Sequence, residues 1–254
     1  MLENRKVVLI TQARMGSTRL PGKVLKKLAG KEMLLFFIDR LLPSNILDKI
    51  VVATTINKED DIIASLIENY NSKVLIFRGS VEDVLDRYYS SITTLFPDYS
   101  EEDIIVRVTS DCPLIDYNVV DYHINEFVKR DVDYLSSRIK RRTWPHGMDV
   151  EVFSFGALKK AYLNAKTPFE REHVTPYIYM THPEEFKLYE LLYDKDYSHI
   201  RITVDYPEDL HFISRVVELL TNDGSYFGVD EILNLLENRP ELMDINKKRI
   251  NNSI

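Results

Sequence analysis

The chain has 254 residues, of which 44% are hydrophobic and 29% are charged, with a formal net charge of −7. A chain of this length can bury a core without staples, and the single cysteine, Cys112, excludes both a disulfide framework and a Cys-rich zinc site. The acidity argues against a general nucleic-acid-binding protein, and because no apolar run approaches the length of a membrane span or a secretory core, we expect a cytoplasmic protein without a membrane partner.

Four short β-branched runs in the first half predict buried strands. They cover Lys6–Gln12, Lys49–Thr55, Lys73–Phe77 and Asp103–Thr109. Helical patterns lie between them, at Met33–Leu42, from Asn57 to about Tyr70, and from a capping-box sequence at Ser80 to about Leu95. Strands and helices that alternate from residue 6 to residue 130 predict βαβ units and an open α/β sheet.

The second half is less regular. Residues 132–136, 148–153 and 186–193 alternate in a way that predicts antiparallel strands. Thr167 and Pro168 begin a predicted helix that ends near Met180, and a short strand is expected at Arg201–Val204. Two further helices are predicted at Pro207–Leu220 and Val229–Asn238. We expect one domain over residues 1–245, with an irregular insertion at 135–195 and a flexible tail at 246–254.

The strongest functional pattern follows the first predicted strand. Residues 4–31 contain no acidic side chain and eight basic ones, so they indicate a local anion site, although a basic face against an acidic partner is the alternative. The loop at residues 12–23 combines glycines, hydroxyls and cations at the sheet edge where α/β proteins bind ligands. It is not a P-loop, because five residues separate Gly16 from Gly22 and Val24 follows Lys23.

The loop sequence A-R-x-x-S-T-R-L-P-G-K resembles the N-terminal signature of the sugar cytidylyltransferases that make CMP-activated acidic sugars. The similarity continues along most of the chain and is closest to the spore-coat polysaccharide branch. It is carried by Phe77–Asp83, Arg107–Ile115, Pro145–Phe153, Glu170–His173 and Val204–Leu210. The resemblance implies a three-layer Rossmann-like (GT-A-like) nucleotidyltransferase with a mixed sheet flanked by helices. It also implies CTP as substrate, Mg²⁺ as cofactor, a homodimer, and an insertion at 135–195 that serves acceptor binding and dimerisation.

The residue types suit a nucleoside triphosphate. Arg14, Arg19 and Lys23 can neutralise the phosphates, with backbone N–H groups of Gly16 and Ser17 assisting. By the resemblance, Ala13, Arg78 and Ser110 also belong to the nucleotide side, and the catalytic set is Arg14, Lys23, Asp111 and Asp205.

Two aspartates at the ends of predicted strands are candidate metal ligands. Asp111 and Asp205 could meet at one sheet edge, and by the resemblance they hold Mg²⁺. Either aspartate alone could instead be a helix N-cap, since prolines follow both.

Further candidates lie near the insertion. For the acceptor we consider Arg171, Arg107, His146 and His173, although Arg107 could pair with acids and the histidines could be structural. The basic cluster at residues 138–144 is a substrate loop or a solvated or dimer-contacting arm.

The leading hypothesis is therefore a Mg²⁺-dependent cytidylyltransferase that transfers CMP from CTP to a sugar acid and releases pyrophosphate. The alternative is a GT-A glycosyltransferase that uses a nucleotide-sugar donor. That class usually binds metal through D-x-D, and Thr109-Ser110-Asp111 lacks the first aspartate. A non-catalytic nucleotide-binding scaffold is the third hypothesis.

Overall fold

The computed structural model describes residue 2 and residues 5–221 and 226–252. Within them, a seven-stranded mixed sheet has the order β5-β4-β1-β6-β8-β7-β9. The strands are β1 (Val7–Gln12), β4 (Lys49–Thr55), β5 (Val74–Gly79), β6 (Ile104–Arg107), β7 (Tyr134–Ser136), β8 (Glu151–Ser154) and β9 (Leu188–Glu190), and β2 (Lys27–Leu28) and β3 (Lys31–Glu32) form a separate hairpin. This architecture confirms the expected mixed sheet.

Helices cover both faces of the sheet. They are α1 (Met33–Asp39), α2 (Asp61–Ile67), α3 (Val84–Leu95), α4 (Tyr117–Arg130), α5 (Phe155–Asn164), α6 (Pro168–His173), α7 (Pro207–Leu220) and α8 (Val229–Asn238). Along β1, Val7 and Leu9 pack into one core and Val8 and Ile10 into the other. Because successive strand residues point to opposite faces, a strand covered on both sides must be apolar on both, as β1 is from Val7 to Ile10.

The first half follows the predicted βαβ pattern. Strand β1 lies between β4 and β6 and is parallel to both. Strand β5 is parallel to β4. The start of α3 differs from the prediction, which began the capping box at Ser80. The N-cap is Asp83, whose side chain accepts a hydrogen bond from the N–H of Asp86. The Ser80 hydroxyl instead accepts from the N–H of Asp83, so it orders the turn that leads into the helix.

The second half departs from the prediction in three places. Strand β8 is antiparallel to β6 and β7, as expected, but β9 pairs with β7 in parallel. Helix α6 ends at His173, because Val174 has φ +73°, and a π-helical turn follows at Tyr177–Thr181. Arg201–Val204 is not a strand. Its backbone hydrogen bonds go to the irregular segments at His146 and Asp111.

The C-terminal segment begins against the core. Asn246 is buried, and its amide donates hydrogen bonds to the Arg201 carbonyl and to Asp209 Oδ1. A 3-10 helix continues over Lys247–Asn252, whereas residues 253 and 254 of the expected tail lie outside the described residues. Among the described residues, no helix combines the length and apolar character that crossing a membrane requires.

Candidate active site

The loop after β1 lies at the carboxyl edge of the parallel strands. A residue outside the loop holds its first turn in place, because Asp60 Oδ1 accepts a hydrogen bond from the N–H of Met15 at 2.7 Å. The Ser17 N–H donates to the Met15 carbonyl and is used within the turn, whereas the Gly16 N–H has no acceptor among the described residues. Of the two amides expected to meet phosphate, only that of Gly16 is therefore available without rearrangement.

This loop forms one wall of a cavity of about 810 Å³. The other walls come from residues 81–84 with Arg87, from the end of β6, and from α6. Ten of the predicted site residues line it: Ala13, Arg14, Gly16, Ser17, Arg19, Lys23, Ser110, Asp111, Arg171 and His173. A cleft of this size suits a ligand as large as a nucleotide.

Lys23 joins the two predicted metal ligands. Its Nζ donates to Asp111 Oδ2 at 2.9 Å, to Asp205 Oδ1 at 3.1 Å and to the Val204 carbonyl at 3.0 Å. The three side chains are 14%, 28% and 12% exposed, for Lys23, Asp111 and Asp205 respectively. Aspartates that are 94 residues apart in the chain thus meet at one point, beside the cavity.

The electrostatics of this cluster favour its charged forms. Burial alone would lower the pKa of Lys23, but attraction by Asp111 and Asp205 outweighs burial and raises it. Burial likewise opposes the charge on Asp111, but Lys23 and a hydrogen bond from Thr109 lower the pKa of its carboxyl group. Both groups are therefore ionised at neutral pH.

Neither aspartate caps a helix. The N-cap of α4 is Asp116, whose side chain accepts from the N–H of Val119. At α7 the capping side chain is Asp209, whose Oδ2 accepts from the N–H groups of Asp205 and Tyr206 at 3.0 Å each. The N-cap alternative for Asp111 and Asp205 is therefore wrong, and both carboxylates face Lys23.

Asp205 is held by arginines as well as by Lys23. Arg19 Nη2 donates to its Oδ1 at 2.7 Å, and Arg201 Nη2 donates to its Oδ2 at 2.8 Å. Arg201 also contacts Asp209, which is fully buried. Sequence reasoning missed both Arg201 and Asp209. The only available signal was that each lies four residues from Asp205.

Of two other predicted residues, Arg14 suits contact with a nucleotide and Ser110 positions the loop. The Arg14 side chain is exposed at the cavity and makes no ion pair among the described residues, so its charge is available to an anion. The Ser110 hydroxyl donates to the Gln12 carbonyl at 2.7 Å. This bond ties the end of β6 to the start of the loop.

Two predicted arginines point elsewhere. Arg78 does not line the cavity, and its guanidinium binds the Thr55 and Asn57 carbonyls and Asp61. Arg107 forms a largely buried ion pair with Glu151 at 2.5 Å. A separate residue, Arg87, was missed. It lines the cavity and orders its wall by donating to the Ser80 and Val81 carbonyls.

His146 lies behind the aspartate cluster. Its Nδ1 is 3.2 Å from Arg201 Nη1, and it is not among the residues that line the cavity. Burial lowers the pKa of His146 to about 4, so the imidazole is neutral at physiological pH. It orients Arg201 in this structure.

The remaining acceptor candidates stand on the cavity wall formed by α6. Arg171 donates to Asp83 Oδ2 through Nε at 2.8 Å, and the His173 ring lies 4.7 Å from that of Phe169. The nearby basic cluster is anchored through Trp144, which is buried and donates to the Leu191 carbonyl. That tryptophan is a core residue.

The two carboxylates of the cluster, those of Asp111 and Asp205, suit a magnesium ion that is bound together with a nucleotide. Mg²⁺ binds one or two carboxylates and completes its octahedron with water and phosphate oxygens. Asp111 and Asp205 supply such a pair. Within the described part of the chain, no group of three or more His, Cys, Asp or Glu side chains could form a protein-only metal cage.

Two known proteins are similar to this chain over nearly its whole length. An uncharacterised protein of Methanocaldococcus jannaschii is 38% identical over 247 residues, covering 95% of this chain and 94% of that protein. The spore coat polysaccharide biosynthesis protein SpsF of Bacillus subtilis is 30% identical over 242 residues, covering 92% and 95%.

Two solved structures share the fold. A cytidylyltransferase from Leptospira borgpetersenii superposes with a TM-score of 0.85 at 32% identity, covering 94% of this chain and 97% of that one. CMP:2-keto-3-deoxy-manno-octonic acid synthetase complexed with CTP gives 0.61 at 16% identity, covering 85% and 99%, which shows the fold alone. A cytidylyltransferase family model matches residues 8–250, and the chain therefore belongs to the cytidylyltransferase family of nucleotidyltransferases.

Proposed function

We propose that this protein transfers CMP from CTP to an acidic sugar in a Mg²⁺-dependent reaction that releases pyrophosphate. The observation that carries the proposal is the meeting of Lys23, Asp111 and Asp205 at the edge of a nucleotide-sized cavity. Membership of the cytidylyltransferase family supports the choice of CTP.

In the proposed reaction a hydroxyl oxygen of the sugar attacks the α-phosphorus of CTP. A new P–O bond forms, the bond between the α-phosphorus and the oxygen that bridges it to the β-phosphorus breaks, pyrophosphate leaves, and the hydroxyl proton passes to water. Arg14, Arg19 and Lys23 would bind the phosphates and stabilise the charge that develops on the leaving group. Asp111 and Asp205 would hold the magnesium ion, which supplies positive charge at the α-phosphate.

The acceptor class rests on the relatives. SpsF is named for spore coat polysaccharide biosynthesis, and a 3-deoxy-manno-octulosonate cytidylyltransferase of Francisella philomiragia, 30% identical over 169 residues, is named for a sugar acid. Arg171 and His173 stand on the α6 wall of the cavity and are our candidates for contact with an acceptor carboxylate. Arg107 and His146 do not line the cavity, so we no longer assign them to the acceptor.

The test is a matrix of nucleotides and acceptors. Purified protein and Mg²⁺ are mixed with each of four nucleoside triphosphates and a panel of 2-keto sugar acids, and pyrophosphate release is measured. We expect release with CTP that depends on a sugar acid. Release that requires another nucleotide, or transfer from a nucleotide-sugar donor instead, would overturn the proposal in favour of other chemistry.

Matched variants test the metal assignment. Asp111→Asn and Asp205→Asn should each reduce Mg²⁺-dependent turnover by at least 100-fold, since each removes a charged ligand. Asp131→Asn is the control, because Asp131 is exposed and its ion pair with Lys187 lies away from the cavity. Near-normal turnover in both of the first two variants would exclude them as metal ligands.

We also propose a homodimer formed through the region at residues 135–195. Its support is the exposure of three large apolar side chains there, namely Leu163, Phe169 and Met180. Light scattering should give twice the chain mass, and the double variant Phe169→Ser with Met180→Ser should shift the protein toward the monomer. A wild-type protein that is monomeric at micromolar concentration would exclude the dimer.

A further inference from the structure

The ammonium group of Lys23 has no proton left for a phosphate. A lysine ammonium has three N–H donors. In this structure they match three acceptors within 3.1 Å, namely Asp111 Oδ2, Asp205 Oδ1 and the Val204 carbonyl. Lys23 can therefore bind a triphosphate only by leaving at least one of these acceptors.

The Asp205 carboxylate is equally committed. Both oxygens of Asp205 accept charged donors, Oδ1 from Arg19 and Lys23 and Oδ2 from Arg201. Arg201 is shared with the buried Asp209, so among the described residues three cations face three carboxylates and the cluster carries no net charge. A divalent cation that approached this cluster alone would meet no net negative charge, and it would find both carboxylates already paired with Lys23.

We propose that Lys23 is an internal counter-cation that closes the Asp111–Asp205 pair to divalent cations until a nucleotide arrives. The ammonium then exchanges its carboxylate partners for phosphate oxygens, and the carboxylates become free for the metal. This inference rests on the proposed function, which identifies the two aspartates as magnesium ligands. It predicts that metal and CTP favour each other's binding, because coupling between sites is reciprocal.

The test measures Mn²⁺ binding to the full chain without any nucleotide. Free Mn²⁺ is counted by electron paramagnetic resonance during a titration. Wild-type protein should bind weakly, whereas Lys23→Met should bind one Mn²⁺ at least tenfold more tightly. Adding Asp111→Asn to that variant should abolish the gain. Lys26→Met is the control, because Lys26 lies in the same segment and makes no ion pair among the described residues.

A second measurement, the unfolding temperature, shows whether the Lys23 variants still fold. Without Lys23 the two carboxylates repel each other, so Lys23→Met should unfold at a lower temperature than wild type and recover when Mn²⁺ is added. Lys23→Gln keeps a hydrogen-bond donor without the charge and should show the same Mn²⁺ gain if Lys23→Met does not fold. Unchanged Mn²⁺ affinity in both variants would overturn the inference.

The outcomes separate the two proposals. If wild-type protein transfers CMP but removing the Lys23 charge brings no Mn²⁺ gain, the counter-cation is wrong and the function stands. If the gain appears but no sugar acid accepts CMP, the counter-cation stands and the proposed function falls.

Discussion

Asp209 fixes Asp205 through the backbone, because its Oδ2 accepts the N–H of Asp205 at 3.0 Å. The same oxygen accepts the N–H of Tyr206, and Oδ1 accepts from Arg201 and Asn246. Asp209 is fully buried and does not line the cavity. It determines the direction of the Asp205 carboxylate without being able to touch a substrate in the cavity.

Asp209→Asn should lower the free energy of unfolding by about 3–5 kcal/mol, because it leaves the buried Arg201 guanidinium without one of its two carboxylates. Urea unfolding measures the loss. Glu208→Gln is the neighbouring control, since Glu208 pairs with Arg249 at a partly exposed position and should change stability by about 1 kcal/mol or less. Equal losses in the two variants would contradict the assigned role of Asp209.

Gly147 permits a close approach of two backbone segments beside the aspartate cluster. It has φ +116°, and a Cβ there would lie 2.8 Å from the Ile202 carbonyl carbon. Gly147→Ala should therefore destabilise the protein by more than about 2 kcal/mol, the upper end of the left-handed penalty alone. Gly30→Ala is the control, because Gly30 has φ +78° but nothing lies within 4 Å of its added Cβ. Thermal unfolding should rank wild type above Gly30→Ala and Gly30→Ala above Gly147→Ala.

Substitution of Arg107 distinguishes a structural arginine from one that binds substrate. Its pKa is raised, since Glu151 outweighs the effect of burial, and Glu151 also accepts from Tyr134 and Thr175. Arg107→Met should cost about 3–5 kcal/mol of stability by leaving Glu151 buried and unpaired. The KM values for CTP and acceptor should stay within about twofold of wild type, a change of only ~0.4 kcal/mol. A large rise in KM without loss of stability would restore Arg107 to the substrate site.

His123 makes stability depend on pH. Burial lowers its pKa to about 4 from an ordinary value of 6.5, because the ring is enclosed and rests against Trp144. Between those pH values the unfolded chain binds a proton that the folded chain does not, so stability falls as pH is lowered through this window. His123→Leu should flatten the pH dependence of the free energy of unfolding between pH 6.5 and 4 by one proton. An unchanged slope would show that His123 titrates normally.

The sheet and the flanking helices were predictable where local chemistry decides them. Strand β4 and helices α7 and α8 have the predicted bounds, because continuous apolar runs and helix-start sequences specify them without distant contacts. The parallel pairing of β9 with β7 was not predictable, since alternation shows which face is buried but not the direction of a neighbour.

In the site, the meeting of the loop at residues 12–23 with the two aspartates was predictable, because their residue types are unusual at the ends of strands. The support of Asp205 by Arg201, Asp209 and Asn246 was missed, because it joins segments whose contact depends on tertiary structure. Which of Arg78 and Arg87 lines the cavity likewise depends on tertiary structure. Both are arginines near one turn, but only the helical residue, Arg87, reaches the cavity.

The most direct test of the account is the identity of the reaction product. Protein is incubated with Mg²⁺, isotope-labelled CTP and the panel of 2-keto sugar acids, and the mixture is analysed by mass spectrometry with a parallel count of pyrophosphate. The account predicts a labelled CMP-linked sugar acid and pyrophosphate in equal amounts. Pyrophosphate without a CMP-linked product, or no consumption of CTP with any sugar acid, would contradict it.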